Sequence, residues 1–226
     1  MDYKVEGRQI LSVVLKAGEK IYADPGKLVG KSASIRMTPK MTGGIMQAIS
    51  RKMAGTAMML TEFEAVGEPG ILSLAGVLPG KVEAITLGDG EQFVAEHFAF
   101  LAAEGNINFT VEAVSIGAAF FGGAGLILQR FKGPGTIFIQ VVGDTIEYEL
   151  DGTKDMEVDP GHIAGFDSAL TYHIRFIDNI RSILFAKEGI FLATFKGKGK
   201  LMLHSVSRFK LSSTIFKEGE EETQKG

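Results

Sequence analysis

At 226 residues, with 24 basic and 27 acidic side chains and a net charge of −3, the chain has no global field to draw it onto nucleic acid or an anionic membrane. It has no cysteine, which excludes disulfides, thiolate metal sites and a cysteine nucleophile, and suits a reducing compartment. The length suffices to bury a core without staples and the opening "MDYKVEGRQI" lacks an apolar stretch, so one compact domain over 1–210 in the cytoplasm is the expectation.

Glycine supplies 29 residues and apolar and polar residues alternate along much of the chain, a combination that predicts an all-β fold. From the N-terminus, "LKAGEKIYAD" (Leu15 to Asp24) runs into "DPGKLVG", and Ile35 and Met37 open an alternating strand. "MTGGIMQAISRKMAG" (Met41 to Gly55) breaks the pattern. It sets Ile45, Ile49 and Met53 four apart, as in a short amphipathic helix or an inserted loop, and serves as a core plug or a contact surface. "AMMLTEFEAVGEPGILSL" from Ala57 then reads as a hairpin. "LGDGEQFVAE" (Leu87 to Glu96) restates the first element, and "NINFTVEAV" turns Ile107, Phe109, Val111 and Ala113 to one face.

Ala113 to Gln129 holds 17 residues without a charge, close to the ~20 of a membrane-spanning helix. Its four glycines, two of them adjacent, predict strand, turn and strand instead, with Phe120 and Phe121 near a subunit contact. A hairpin follows, "GLILQRFKGPGTIFIQ" from Gly125. "TIEYEL" offers Ile146, Tyr148 and Leu150 as an inward set, and "ALTYHIRF" offers Leu170, Tyr172, Ile174 and Phe176. Between them lies "LDGTKDMEVD" (Leu150 to Asp159), followed by "DPGHIAGF", and "GIFLATFKGKGKLMLH" from Gly189 restates the hairpin. The lysines at 196, 198 and 200, with Lys187, Arg208 and Lys210, are a candidate basic patch whose alternation suits a solvated strand face. "KEGEEETQKG" ends a polar tail over 211–226 that composition marks as disordered.

The spacing repeats. Leu15, Leu87 and Leu150 each precede a carboxylate by nine positions, and Ile35, Ile107 and Leu170 stand eleven beyond Asp24, Glu96 and Asp159. The chain therefore reads as three tandem units, about 3–75, 76–140 and 141–207, packed around a pseudo-threefold axis, because one such unit cannot bury its apolar face alone. The strand edges of such an assembly call for self-association.

"VDPGHIAGF" after "LDG", "GGAGLILQRFKGPG", "EGIFLATFKGKGKLMLHS" and "AGTAMMLTEF" after "MTGG" together resemble a widespread family of uncharacterised proteins. Its fold is likened to that of the tryptophan RNA-binding attenuation protein, and its eukaryotic members are mitochondrial biogenesis proteins named for altered inheritance of mitochondria. The resemblance runs from about Tyr3 to Ser207. It implies an all-β fold of three attenuation-protein-like, double-stranded β-helix-type units, a homotrimer, and no established activity. The third hairpin departs from it, with "AKEG" and "GKGK" where a double glycine and G-P-G are usual. No motif here matches the attenuation protein's tryptophan or RNA ligands, so the likeness concerns fold.

The chemical candidates are few. Asp24, Glu96 and Asp159 are carboxylates a threefold fold could gather around a hard cation such as Ca²⁺ or Mg²⁺, and His162 is a separate metal candidate, but Asp-Pro-Gly is first a turn: aspartate accepts a local N–H and proline sets φ. Glu96 lacks the Pro-Gly. His97, His162, His173 and His204 lack metal-ligand spacing, and His173 falls on a polar strand face. There is no G-x-S-x-G, and no Walker lysine-serine pair follows the glycine runs. The expected function is a non-enzymatic, self-associating scaffold or interaction protein without cofactor or metal, of unknown protein partner. The alternative is a binding module for a small ligand, a metal ion or RNA.

Overall fold

The structure, a computed structural model, describes residues 1–40, 60–114, 126–177, 190–207 and 210–211. Ile45, Ile49, Met53, Phe120 and Phe121 lie outside the described residues, as does most of the polar tail. Nineteen strands are described. After β1 (Asp2–Glu6), a first set of six comprises β2 (Ile10–Leu15), β3 (Lys20–Ala23), β4 (Leu28–Lys31), β5 (Ile35–Lys40), β6 (Leu60–Ala65) and β7 (Gly70–Ala75). The second set is β8 (Gly80–Leu87), β9 (Gln92–Glu96), β10 (Phe100–Gly105), β11 (Asn108–Val114), β12 (Leu126–Lys132) and β13 (Gly135–Val142). The third is β14 (Thr145–Asp151), β15 (Met156–Val158), β16 (Ile163–Asp167), β17 (Thr171–Ile177), β18 (Ile190–Lys196) and β19 (Lys198–His204).

One pairing order occurs in all three sets. The sixth strand lies between the first and the third, and the fifth between the second and the fourth, giving β2-β7-β4 with β5-β6-β3, β8-β13-β10 with β11-β12-β9, and β14-β19-β16 with β17-β18-β15. The register between sixth and third strands slips at one matching place each time: between Leu28 and Gly30, Phe100 and Ala102, and Ile163 and Gly165. Such a bulge leaves one residue out of the ladder and bends the strand. The G-x-G turns predicted at the ends of the second and third hairpins are present. Gly135 and Gly199 have φ of 152° and 154°, and a side chain on Gly135 would run into the Glu104 carbonyl.

The chain divides into two compact units, Met1–Ala113 with Ile127–Val141, and Val114–Leu126 with Val142–Gly226. The first holds the first two sets. Its core joins Leu11, Val13, Leu15, Ile21, Phe63, Leu72, Leu74 and Phe138, every one at 0% exposure, and Phe100 stacks on Phe131 with ring centroids 5.4 Å apart. In the second unit Phe195 packs edge-on against Phe166 at 5.0 Å, and Tyr172 lies 5.9 Å from it. Alternation produces these cores because a strand's side chains face opposite sides in turn, so one set is withdrawn from water.

One predicted core face is not buried. Ile146 and Tyr148 alternate on β14 as expected, yet they are 43% and 36% exposed, and Phe176 on β17 is 49% exposed. Among the described strands each of these ends its run, and alternation there marks an apolar face that no other described layer packs over. Both ends of the uncharged stretch 113–129 are strand, and its middle lies outside the described residues. Among the described residues no helix is long and apolar enough to cross a membrane.

Candidate functional site

Asp24, Glu96 and Asp159 hold the same local position. Each leaves a second strand in extended backbone, with φ of −68°, −63° and −68°, and precedes one turn of 3-10 helix: Pro25–Lys27, His97–Ala99 and Pro160–His162. Asp24 Oδ1 accepts from the Gly26 amide at 2.9 Å and Asp159 Oδ1 from that of Gly161 at 2.8 Å, the local bond that Asp-Pro-Gly predicts. Glu96 makes no such bond, because its side chain is one methylene longer and no Pro-Gly follows. The second Asp159 oxygen lies 2.7 Å from Lys210 Nζ.

The turns also carry side chains that clamp backbone. Lys27, buried at 7% exposure, sets Nζ 3.5 Å from the Phe98 carbonyl. His162, at the matching place in the third set, donates through Nδ1 to the His204 carbonyl at 2.9 Å, which fixes its Nδ1 as protonated. His204 is itself buried and accepts the Val142 amide on Nδ1 at 2.8 Å, so its ring is neutral with the proton on Nε2. Among the described residues no group of three or more His, Cys, Asp or Glu side chains is gathered as a metal site. His173 is exposed.

A cluster absent from the sequence reading lies on one face of β5-β6-β3. Lys20 Nζ is 2.9 Å from Glu62 and 3.7 Å from Glu64, Arg36 reaches Glu64 at 2.7 Å, and Lys40 donates to the Tyr22 hydroxyl at 2.9 Å while lying 3.6 Å from Glu62. The Lys20 ammonium holds the Glu62 carboxyl below its ordinary range, and the Arg36 guanidinium does the same to Glu64. Glu62 in turn raises Lys20, and the Tyr22 hydroxyl raises Lys40. The only sequence signal was Glu62 and Glu64 two apart beside Lys20, Arg36 and Lys40, and those residues meet only once the strand register is known. Of the candidate basic patch, Lys187 and Arg208 lie outside the described residues, while Lys196 pairs with Asp155 at 2.6 Å and Lys200 with Glu147 at 3.4 Å. The charges at these places are mixed in sign, and exposed pairs of this kind are screened by water and salt.

The third set of features is the strand edges. Each 3-10 turn delivers the chain into a third strand, β4, β10 or β16, whose bulged residue is Val29, Leu101 or Ala164. Leu101 and Ala164 are 0% exposed, whereas Val29 is 61% exposed.

Comparison with known proteins agrees with this architecture. An uncharacterized protein of Streptococcus pyogenes serotype M6 is 28% identical over 214 residues, covering 91% of this chain and 85% of its own. A crystal structure of a Streptococcus pyogenes protein superposes with a TM-score of 0.76 at 24% identity, over 96% of this chain and 98% of that one, which establishes the shared fold. Residues 3–206 match the family described as Mitochondrial biogenesis AIM24, and the chain belongs to that family.

Proposed function

We propose that the protein is a non-enzymatic scaffold that assembles with copies of itself, as a trimer, in the cytoplasm. One observation carries the reading. Among the described strands, four that end their runs, β1, β5, β14 and β17, present Tyr3 and Val5, Met37, Ile146 and Tyr148, and Phe176 to solvent. Unpaired N–H and C=O groups beside exposed apolar side chains form a template for another chain, and soluble proteins rarely leave such edges open. The recurring pairing order supports three tandem units set around a pseudo-threefold axis, the arrangement likened to the attenuation-protein fold. Asp24, Asp159, Lys27 and His162 hold backbone at their turns, which favours a structural role over a catalytic one. The cysteine-free composition suits a reducing compartment.

Light scattering and native mass spectrometry test the proposal together. The expected result is a particle of three chain masses with nothing else retained. A monomer at micromolar concentration overturns self-association, and a metal or metabolite that survives purification points to the binding-module alternative.

A further inference from the structure

We propose that the outer edge of β4 is covered by β15 of a second copy of the chain, paired antiparallel with Gly30 opposite Val158 and Lys31 opposite Glu157. This rests on the self-association reading and gives it an interface.

The first unit already contains the junction on which the proposal is built. β3, a second strand, lies antiparallel along β10, a third strand, with Ala23 opposite Ala102 and Tyr22 opposite Ala103. The Asp24 amide donates to the carbonyl of the bulged Leu101 at 3.4 Å. A second strand and the carboxylate that ends it are thus shaped to lie against a bulged third strand. Leu101, under that cover, is fully buried.

β4 is also a bulged third strand, and it ends its sheet among the described strands. Its bulged residue Val29 is 61% exposed, and Gly30 and Lys31 are exposed beside it. β15 is a second strand that ends in a carboxylate, and it too ends its run, β15-β18-β17. Each edge has the form of one half of the β3–β10 junction. Neither has a described strand on that side.

The register follows by position. Val158 and Glu157 stand one and two residues before Asp159, as Ala23 and Tyr22 stand before Asp24. Gly30 and Lys31 stand six and seven after Asp24, as Ala102 and Ala103 stand after Glu96. Carried over, Val29 lies opposite Asp159 and its carbonyl receives the Asp159 amide.

The side chains suit that placement. Where the existing junction sets Ala103 against Tyr22, this one sets a cation, Lys31, against an anion, Glu157, and opposite charges directly across an antiparallel pair are favourable. Glu157 also holds Arg175 at 2.8 Å, across β18, and Lys31 Nζ now donates to the Ile35 carbonyl at 2.8 Å, so each head group would leave or share its present partner to meet the other. Where the junction sets alanine against alanine, this one sets the larger Val158 against Gly30, whose Cβ position is open space to 4 Å. The contact joins two different surfaces, so copies add head to tail, and three of them close a ring if each turns by a third of a circle.

The absence of cysteine makes the test direct. Gly30→Cys and Val158→Cys proteins are prepared separately, mixed and oxidised. The positions equivalent to Ala102 and Ala23 are a non-hydrogen-bonded pair, the closer of the two pair types, so a disulfide-linked dimer is expected in the mixture and in neither protein alone. As a second readout independent of the Val158 site, Lys31→Glu and Glu157→Lys should each raise the concentration for half-assembly about ten-fold or more, and a chain carrying both reversals should recover. An oligomeric wild type that gives no mixed disulfide and ignores both charge reversals overturns this interface and leaves self-association standing. A monomeric wild type overturns both. A chain carrying both cysteines that closes its disulfide within a monomer also overturns the proposal.

Discussion

Asp159 uses one oxygen for the Gly161 amide and the other for Lys210, and its worth can be apportioned because the two roles separate on substitution. Asp159→Ala removes the acceptor and should cost about 0.5–2 kcal/mol, the range for loss of a capping side chain. Asp159→Asn keeps the acceptor and loses only an exposed ion pair, so most of that loss should return, as read by urea denaturation. A variant pair that melts alike would assign the stability to Lys210 instead. This residue was legible in the sequence because its partner is two positions away. His204 was not, since the amide it accepts belongs to Val142, 62 positions distant, and nothing local marks a histidine as an acceptor.

At the scale of single strands, the face of β5-β6-β3 should make stability depend on acid. Glu62 and Glu64 are held below their ordinary value of 4.5 by Lys20 and Arg36, so the folded state binds protons less readily than the unfolded chain. Their contribution is complete above that ordinary value and is lost as pH falls through the lower folded values. The melting temperature of the wild type should therefore drop below about pH 4.5, and a Glu62→Gln, Glu64→Gln variant should show a shallower drop. Equal slopes would remove the ion pairs from the account. In the second unit, Phe195 sits fully buried between Phe166 and Tyr172, and Phe195→Ala should cost about 3–5 kcal/mol in chemical denaturation. A loss under ~1 kcal/mol would mean that the site collapses around the smaller side chain. Alternation revealed these strands because a period of two is a property of adjacent residues. It could not say whether Ile146 and Tyr148 would be covered, since cover depends on which distant layer packs over that face, and none among the described residues buries them.

For the molecule as a whole, the thrice-repeated interval from leucine to carboxylate was readable in the chain, and the thrice-repeated pairing order agrees with it. The unequal exposure of Val29 and Leu101 was hidden, because the two residues are both apolar and stand at the same place in their sets. Another feature of the pairing reaches further. In the first set the opening residue Ile10 stands directly opposite the closing residue Ala75, and in the third set Thr145 stands opposite His204. Paired strands lie ~5 Å apart, so these two sets each begin and end almost at one point. A segment with adjoining ends can be spliced in, cut out or given new termini without a long bridging loop, which is the geometry that circular permutation requires. Tandem duplication of one ancestral gene segment would then have needed no new linker.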